Sequence, residues 1–206
     1  MIRNIIFDMG NVLVAYTPEK TLREMGVSED DIQFLMREVF SSFEWVEMDR
    51  GTLSKPEAFE IMKPRLPRYL ADFVFENTIA NSIMDRMPPF PEMYDLVCEI
   101  KKAGYPVYLL SNASPDFYVF SKRYPVMDLM DGKIVSADYK VVKPERELYQ
   151  ILFDTFSLKP EECFFVDDLE RNIEGAKAAG MDGICFSPSF EPVSVLRAAL
   201  KNVIDF

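Results

Sequence analysis

Residues Met1–Val14 read MIRNIIFDMGNVLV. A short apolar run, Asn4–Asp8, ends on an acid, and no small-residue cleavage site follows it. This reads as a first β-strand with a carboxylate at its carboxyl end, not as a signal peptide. Working outward, strand-like runs recur at Pro106–Leu110, Cys163–Asp167 and Gly183–Phe186. The segments between them carry helical spacing. Glu92–Ala103 aligns Met93, Leu96, Val97 and Ile100; Glu145–Phe156 aligns Leu148, Ile151, Leu152 and Phe156; Val193–Val203 aligns Val193, Leu196, Leu200 and Val203. Steps of three and four place each set on one helix face. Apolar strands alternating with amphipathic helices predict an α/β fold: a doubly wound, Rossmann-like, mainly parallel sheet.

One region breaks the alternation. From Thr17 to Asp85 the pattern is helical only, with a stripe of Ile32, Leu35, Met36, Val39, Phe40 and Phe43. Ser54–Glu57 (SKPE) has the form of a capping box, and Phe73, Val74, Ala80, Ile83 and Met84 suggest a further helix. The expectation is a core domain of residues 1–16 and 88–206, interrupted by a helical cap subdomain of residues 17–87. The Pro-rich Met87–Glu92 (MPPFPE) would be the return hinge.

Composition bounds the chemistry. The 206 residues suit one compact domain with a modest insertion. Asp and Glu number 34 against 23 Lys and Arg, a net charge of −11, which argues against a nucleic-acid or anionic-membrane partner. There is no His, so Ser-His-Asp triads, Cys-His dyads and His-ligated metals are excluded. Cys98, Cys163 and Cys185 lie among apolar neighbours without CxxC spacing, which predicts buried reduced thiols in a cytoplasmic protein. No stretch is long and apolar enough to span a bilayer. A monomer or homodimer is expected.

In an open parallel sheet, ligands bind beyond the carboxyl ends of the strands. Asp8 follows the first predicted strand, Ser111–Asn112 the second and Asp167–Asp168 the third, while Lys143–Pro144 precedes a helix. Three carboxylates gathered in one place repel and raise their own pKa values, and a divalent cation relieves that repulsion. Oxygen ligands alone point to Mg²⁺, with Mn²⁺ equally suited to them. Asp8 then reads as a nucleophile that attacks phosphorus, Lys143 as a charge neutraliser, and Ser111 and Asn112 as donors to phosphoryl oxygens. Ser114–Pro115 reads as the start of a helix aimed at the same spot. Each feature alone is ordinary turn or cap chemistry; their order and placement give them weight.

These residues resemble the haloacid dehalogenase superfamily of phosphohydrolases over nearly the whole chain. IIFDMGNVLV (Ile5–Val14) resembles its first motif, with Asp8 as nucleophile. YLLSNAS (Tyr108–Ser114) resembles the second, VVKPE (Val141–Glu145) the third with Lys143, and FFVDDLERNIEGAKAAG (Phe164–Gly180) the fourth. The resemblance implies Asp168 as principal metal ligand with Asp167 beside it, Asn172 supporting the acidic pair, and a cap over the active site. The first and fourth motifs resemble the branch containing α-D-glucose-1-phosphate phosphatase and the phosphatase domain of soluble epoxide hydrolase.

One departure stands out. The family's second Asp, the acid-base two residues after the nucleophile, is Gly10 here. Its backbone carbonyl still serves as a metal ligand, but the proton donor is missing. General acid-base help contributes about 10²–10⁴-fold, so its loss slows simple alkyl phosphates most. A sugar 1-phosphate leaves as a hemiacetal, a more acidic alcohol. The expected function is therefore a Mg²⁺-dependent phosphatase acting on a small phosphorylated metabolite such as glucose 1-phosphate. Trp45, Glu47 and Arg50 in Phe43–Gly51 are cap candidates, for sugar stacking and anion contact, beside an expected Asp-Arg-Gly turn. The alternatives are a 2-haloacid dehalogenase, which needs no Mg²⁺ and sits poorly with Asp167–Asp168, and a catalytically weak module that binds a phosphometabolite. A mutase fits least.

Overall fold

The computed structural model describes residues 1–81 and 83–206. Its centre is a five-stranded, all-parallel sheet. The strands are β1 (Asn4–Phe7), β2 (Val107–Ser111), β3 (Gly132–Val135), β4 (Cys163–Asp167) and β5 (Asp182–Cys185), in spatial order β3-β2-β1-β4-β5. Successive side chains on a strand face opposite ways. Ile5, Phe7, Val107, Leu109, Phe164 and Val166 join one core cluster, and Ile6, Leu110, Cys163 and Phe165 the other.

Helices cover both faces. α6 (Pro91–Lys102) and α11 (Val193–Lys201) pack on the first, through Met93, Leu96, Val97 and Ile100, and through Val193, Leu196 and Leu200. α9 (Arg146–Phe156) and α10 (Glu170–Ala178) pack on the second, through Leu148, Tyr149 and Leu152 and through Ile173 and Ala176. The doubly wound sheet expected from the sequence is therefore present. β3 escaped prediction because its four residues, GKIV, carry too little apolar pattern to read.

Between β1 and α6 the described chain is helical: α1 (Pro18–Glu24), α2 (Glu29–Leu35), α3 (Phe43–Arg50), α4 (Lys55–Met62), α5 (Arg68–Val74) and shorter turns up to Arg86. Ser54 and Glu57 form the predicted capping box, side chain to backbone in both directions. The Ile32–Phe43 stripe is not continuous. The chain widens into a π-turn at Met36–Phe40, and α3 starts afresh at the Ser42 cap, leaving Phe43 exposed. Of the helix expected at Phe73–Met84, α5 holds the first part and a 3₁₀ turn at Ile83–Arg86 the last; Ser82 lies outside the described residues.

The two crossings between core and helical segment bond to each other. Ala15 N–H donates to Pro88 O at 2.9 Å, and Phe90 N–H to Leu13 O at 3.0 Å. The first core cluster runs on without a break into this segment through Leu22, Ile32, Met48, Met62 and Val74. All three cysteines are free thiols, but only Cys163 is buried; Cys185, at the end of edge strand β5, is exposed. The expectation of three buried thiols is corrected there, because an edge strand presents alternate side chains to water. Among the described residues no helix is long and apolar enough to cross a membrane.

Candidate active site

In the order β3-β2-β1-β4-β5 successive strands are added to one side of β1 and then, from β4 on, to the other, and such switch points open a crevice beyond the carboxyl ends of the strands. Asp8 stands there directly after β1, its N–H bonded to Val166 O of β4 at 2.9 Å. Asp167 ends β4, Asp168 follows it, and Ser111 ends β2. Carboxylate oxygens of Asp8, Asp167 and Asp168 lie within 4.8 Å of one another.

Lys143 is the cation among them. Its Nζ lies 2.7 Å from Asp8 Oδ1 and 2.7 Å from Asp167 Oδ2, and donates to Leu110 O at 2.9 Å. The Phe165 ring, 5.3 Å away, closes another side. The Lys143 side chain is 1% exposed, so this is an ion triad out of water. Burial raises the Asp8 carboxyl to about 7, against the lowering pull of Lys143 and with a further push from Asp167 and Asp168. Burial likewise raises Asp168, opposed by its hydrogen bond from Asn11 and reinforced by Asp167. For Lys143, burial works against the charge, but the two facing carboxylates outweigh it and the ammonium pKa is raised.

The hydrogen bonds assign the remaining residues. Asp167 accepts from Lys143 on one oxygen and from Leu169 N–H and Asn172 Nδ2, both at 2.9 Å, on the other. Both oxygens are engaged, so Asp167 holds Lys143 in place more than it faces the crevice. Asn172, expected beside the acidic pair, is there. Asn112 is also turned to support: its Oδ1 accepts Lys143 N–H at 2.8 Å and its Nδ2 donates to Lys143 O at 3.1 Å. By contrast, Asp8 meets Lys143 through Oδ1, and Asp168 accepts on one oxygen from Asn11 Nδ2 at 3.0 Å.

Asn11 sits at a left-handed φ of 54° and accepts from Tyr16 N–H at 2.9 Å, which folds the Gly10–Tyr16 loop back over β1. Gly10 itself has room: an added Cβ would lie 3.7 Å from Tyr16 Cβ and 4.0 Å from Asp8 Oδ2, both ordinary contacts.

The loop bearing Lys143 is held from below. A Cβ on Gly175 of α10 would approach Pro144 O, Pro144 Cβ and Tyr149 Oη, each at 2.9 Å. The Gly175→Ala variant should gain about 1 kcal/mol of helix propensity and lose about 1–3 kcal/mol to crowding. The expected result is a melting temperature lower by about 2–4 °C per net kcal/mol lost. An unchanged or raised melting temperature would show that α10 and the Lys143 loop have slack between them.

Two expectations are corrected. Ser114 is not a helix cap: α7 (Phe117–Phe120) has four residues and Asp116 at its N-cap, so no sizeable helix dipole points at the site. Asp49–Arg50–Gly51 is not a loose turn either. Asp49 and Arg50 end α3, and Gly51 caps it at φ 77°. Arg50 forms a bidentate pair with Glu145 at 2.9 and 2.7 Å. Trp45 lies 5.0 Å from the Phe40 ring yet also lines a pocket with Met48, Asp49, Lys55, Ser114 and Phe120.

Residues 2–180 match the model of the haloacid dehalogenase-like hydrolases. The chain belongs to that family. This hydrolase is 27% identical over 199 residues to a sesquiterpene phosphatase, astK, of Aspergillus oryzae, covering 93% of both chains. It is 27% identical to a D-ribitol-5-phosphate phosphatase of Bacteroides thetaiotaomicron, over 88% of this chain and 90% of the other. Its fold is that of a haloacid dehalogenase family enzyme from the same Bacteroides species solved as a magnesium complex: TM-score 0.72, 20% identity, 95% and 98% of the two chains.

Proposed function

We propose that this hydrolase is a Mg²⁺-dependent phosphatase of small phosphorylated metabolites that works through an aspartyl-phosphate on Asp8. One observation carries the reading. A carboxylate at the switch point is paired through Oδ1 to a buried Lys143 and has Asp168 within 4.8 Å. Oxygen donors without Cys or His suit a hard divalent cation, and carboxyls raised by burial and further by one another's charge gain from one. Asp8, Asp168 and the Gly10 carbonyl would hold Mg²⁺; Asp167 would stand behind them through Lys143. When bound, the ion would polarise the phosphoryl group and screen its charge from Asp8.

The chain's own residues do the rest. Lys143 keeps Asp8 aligned and offsets charge developing on the phosphoryl oxygens. Asp8 attacks phosphorus, the alcohol departs, and water cleaves the acyl-phosphate. Ser111, at the end of β2, is the side-chain donor we assign to phosphate. The pocket beside the site joins apolar walls (Trp45, Met48, Phe120) to polar ones (Lys55, Thr78, Asp116). Residues 17–87 would serve as the cap that shapes this pocket. Within the class we put forward glucose 1-phosphate, which makes the least demand for a proton donor at the Gly10 position. We place the protein in the cytoplasm.

The deciding assay is phosphate release from glucose 1-phosphate, glucose 6-phosphate, ribitol 5-phosphate and p-nitrophenyl phosphate, with Mg²⁺ and with EDTA. Metal-dependent release, with mass spectrometry locating the phosphoryl group on Asp8, supports the reading. No release from any of the four overturns it, and equal rates on the two glucose phosphates remove the anomeric preference alone.

A second expectation concerns stability. Asp8 rises from 3.8 to about 7 and Asp49 to about 8 on folding, so the folded state binds protons more tightly than the unfolded chain. With EDTA present, these groups should lower stability as pH rises from about 4 to about 8. Mg²⁺ at about 100 times its Kd adds about 2.7 kcal/mol. Melting curves should therefore show a larger Mg²⁺ effect at pH 8 than at pH 5; an equal effect at both would remove Asp8 from the metal site.

A further inference from the structure

We propose that Asp49, carried by α3 of the helical segment, is the general acid and base of this site, in place of the carboxylate that Gly10 cannot offer. The proposal rests on the phosphatase reading above and deepens it.

Three neighbouring residues tie the end of α3 to the core. Asp49 O accepts from Ser136 Oγ at 2.5 Å, and Ser136 Oγ in turn accepts from Ala113 N–H at 2.9 Å in the loop after β2. Arg50 grips Glu145, two residues past Lys143. Gly51 lies so close to α8 (Ser136–Tyr139) that a Cβ would sit 2.4 Å from Ala137 O. The Asp49 carboxyl is thereby held in the pocket that Ser114 and Lys55 also line.

It has no counter-ion. Lys55 pairs with Asp116 and Arg50 with Glu145 and Glu47, and Asp49 forms no ion pair among the described residues. A structural carboxylate withdrawn from water is normally paired with a cation, and Asp49, half-buried, is not. Here burial is the main cause lifting the carboxyl to about 8, eased by the Ser114 amide and raised further by the Asp8 charge. Such a group is mostly protonated at neutral pH and can still give up its proton.

Tyr16 marks the same spot from the other side. Its Cβ borders the room left at Gly10, its buried hydroxyl has no hydrogen-bond partner among the described residues, and burial, with a further push from the Asp49 charge, raises its pKa. The titratable and charged groups around Asp49 are thus Asp8, Tyr16, Lys55 and Asp116.

The steps balance. As Asp8 Oδ bonds to phosphorus and the P–O bond to the alcohol breaks, the Asp49 proton passes to the departing oxygen. The Asp49 carboxylate then takes a proton from water as its oxygen attacks phosphorus. The P–O bond to Asp8 breaks, phosphate leaves, and Asp49 is again protonated. With Asp49 in this role, alkyl phosphates such as glucose 6-phosphate come within range of the enzyme.

The test compares the full-length protein with Asp49→Asn and Asp49→Glu in Mg²⁺. For Asp49→Asn, kcat/KM on glucose 6-phosphate should fall about 10²–10³-fold, while kcat/KM on p-nitrophenyl phosphate changes less than about threefold, since that leaving group needs no proton. Its turnover should begin with a burst of one p-nitrophenol per site and leave phosphoenzyme on Asp8, because the base for the second step is gone. Asp49→Glu should recover part of the glucose 6-phosphate activity. A uniform loss across leaving groups, or no loss, overturns the role of Asp49 while the wild type stays active. An inactive wild type overturns the phosphatase reading instead. Should Asp49→Asn not fold, Asp49→Ser answers the same question.

Discussion

Lys143→Met is expected to cost about 3–5 kcal/mol of stability, the range for removing one partner of a buried ion pair. Lys143 is 1% exposed and Asp167 0%. Without the ammonium, Asp167 retains only Leu169 N–H and Asn172 Nδ2, both on the same oxygen, and Asp8 faces Asp167 with nothing between them. Met fills the volume but cannot supply the charge. A domain's total stability is about 5–15 kcal/mol, so the variant should unfold at a far lower urea concentration. The loss should shrink at pH 5, where Asp8, already raised to about 7 in the native protein, takes up a proton and stops repelling Asp167. Phosphatase activity should fall by about 10²–10³-fold, as when a preorganised electrostatic donor is lost. A urea midpoint within error of wild type at both pH values would contradict the ion-triad account.

Asp8→Asn is expected to do the opposite to stability and far more to activity. The amide keeps the shape of the carboxyl but cannot form a phosphoenzyme. Loss of a covalent nucleophile costs up to about 10⁶-fold, so turnover should drop below the detection limit of a phosphate assay. In EDTA at pH 8 the variant should melt at a higher temperature than wild type. The raised Asp8 pKa means that ionising this group destabilises the fold above pH 7, and Asn removes that ionisation. Lys143 still has Asp167 to pair with. Residual Mg²⁺-dependent turnover above about 1% of wild type, a far smaller drop than losing a covalent nucleophile should produce, would move the nucleophile elsewhere.

What the sequence disclosed and what it withheld divide along physical lines. Asp8, Ser111, Asp167 and Asp168 were legible because each follows an apolar strand, and strand ends in a parallel sheet converge. The two-sided packing was legible in the helix spacings. β3 was not, since an edge strand of four residues needs little apolar pattern. Asn112 and Asp167 stand at the strand ends, beside Lys143. Their side chains turn to Lys143, and a strand-end position does not say which way a side chain points. Ser114–Pro115 had the letters of a helix start, yet the chain turns only four residues into α7. Asp49 could not be read at all. It belongs to the helical segment, and only Ser136, Glu145 and Ala137, some ninety residues along the chain, bring it to the site. The one available hint was negative: Gly10 left a vacancy in the chemistry that some other acid had to fill.

The anchorage of α3 also bears on timing. The contacts to Ser136, Glu145 and Ala137 are made by three consecutive residues, Asp49, Arg50 and Gly51, so lifting α3 to let a substrate in or phosphate out undoes all of them together and withdraws Asp49 in the same stroke. Bulk water could then reach a phosphorylated Asp8 only while its proton acceptor is absent. The escape route and the hydrolytic machinery would be mutually exclusive, and a variant loosened at Gly51 would exchange faster release for slower chemistry.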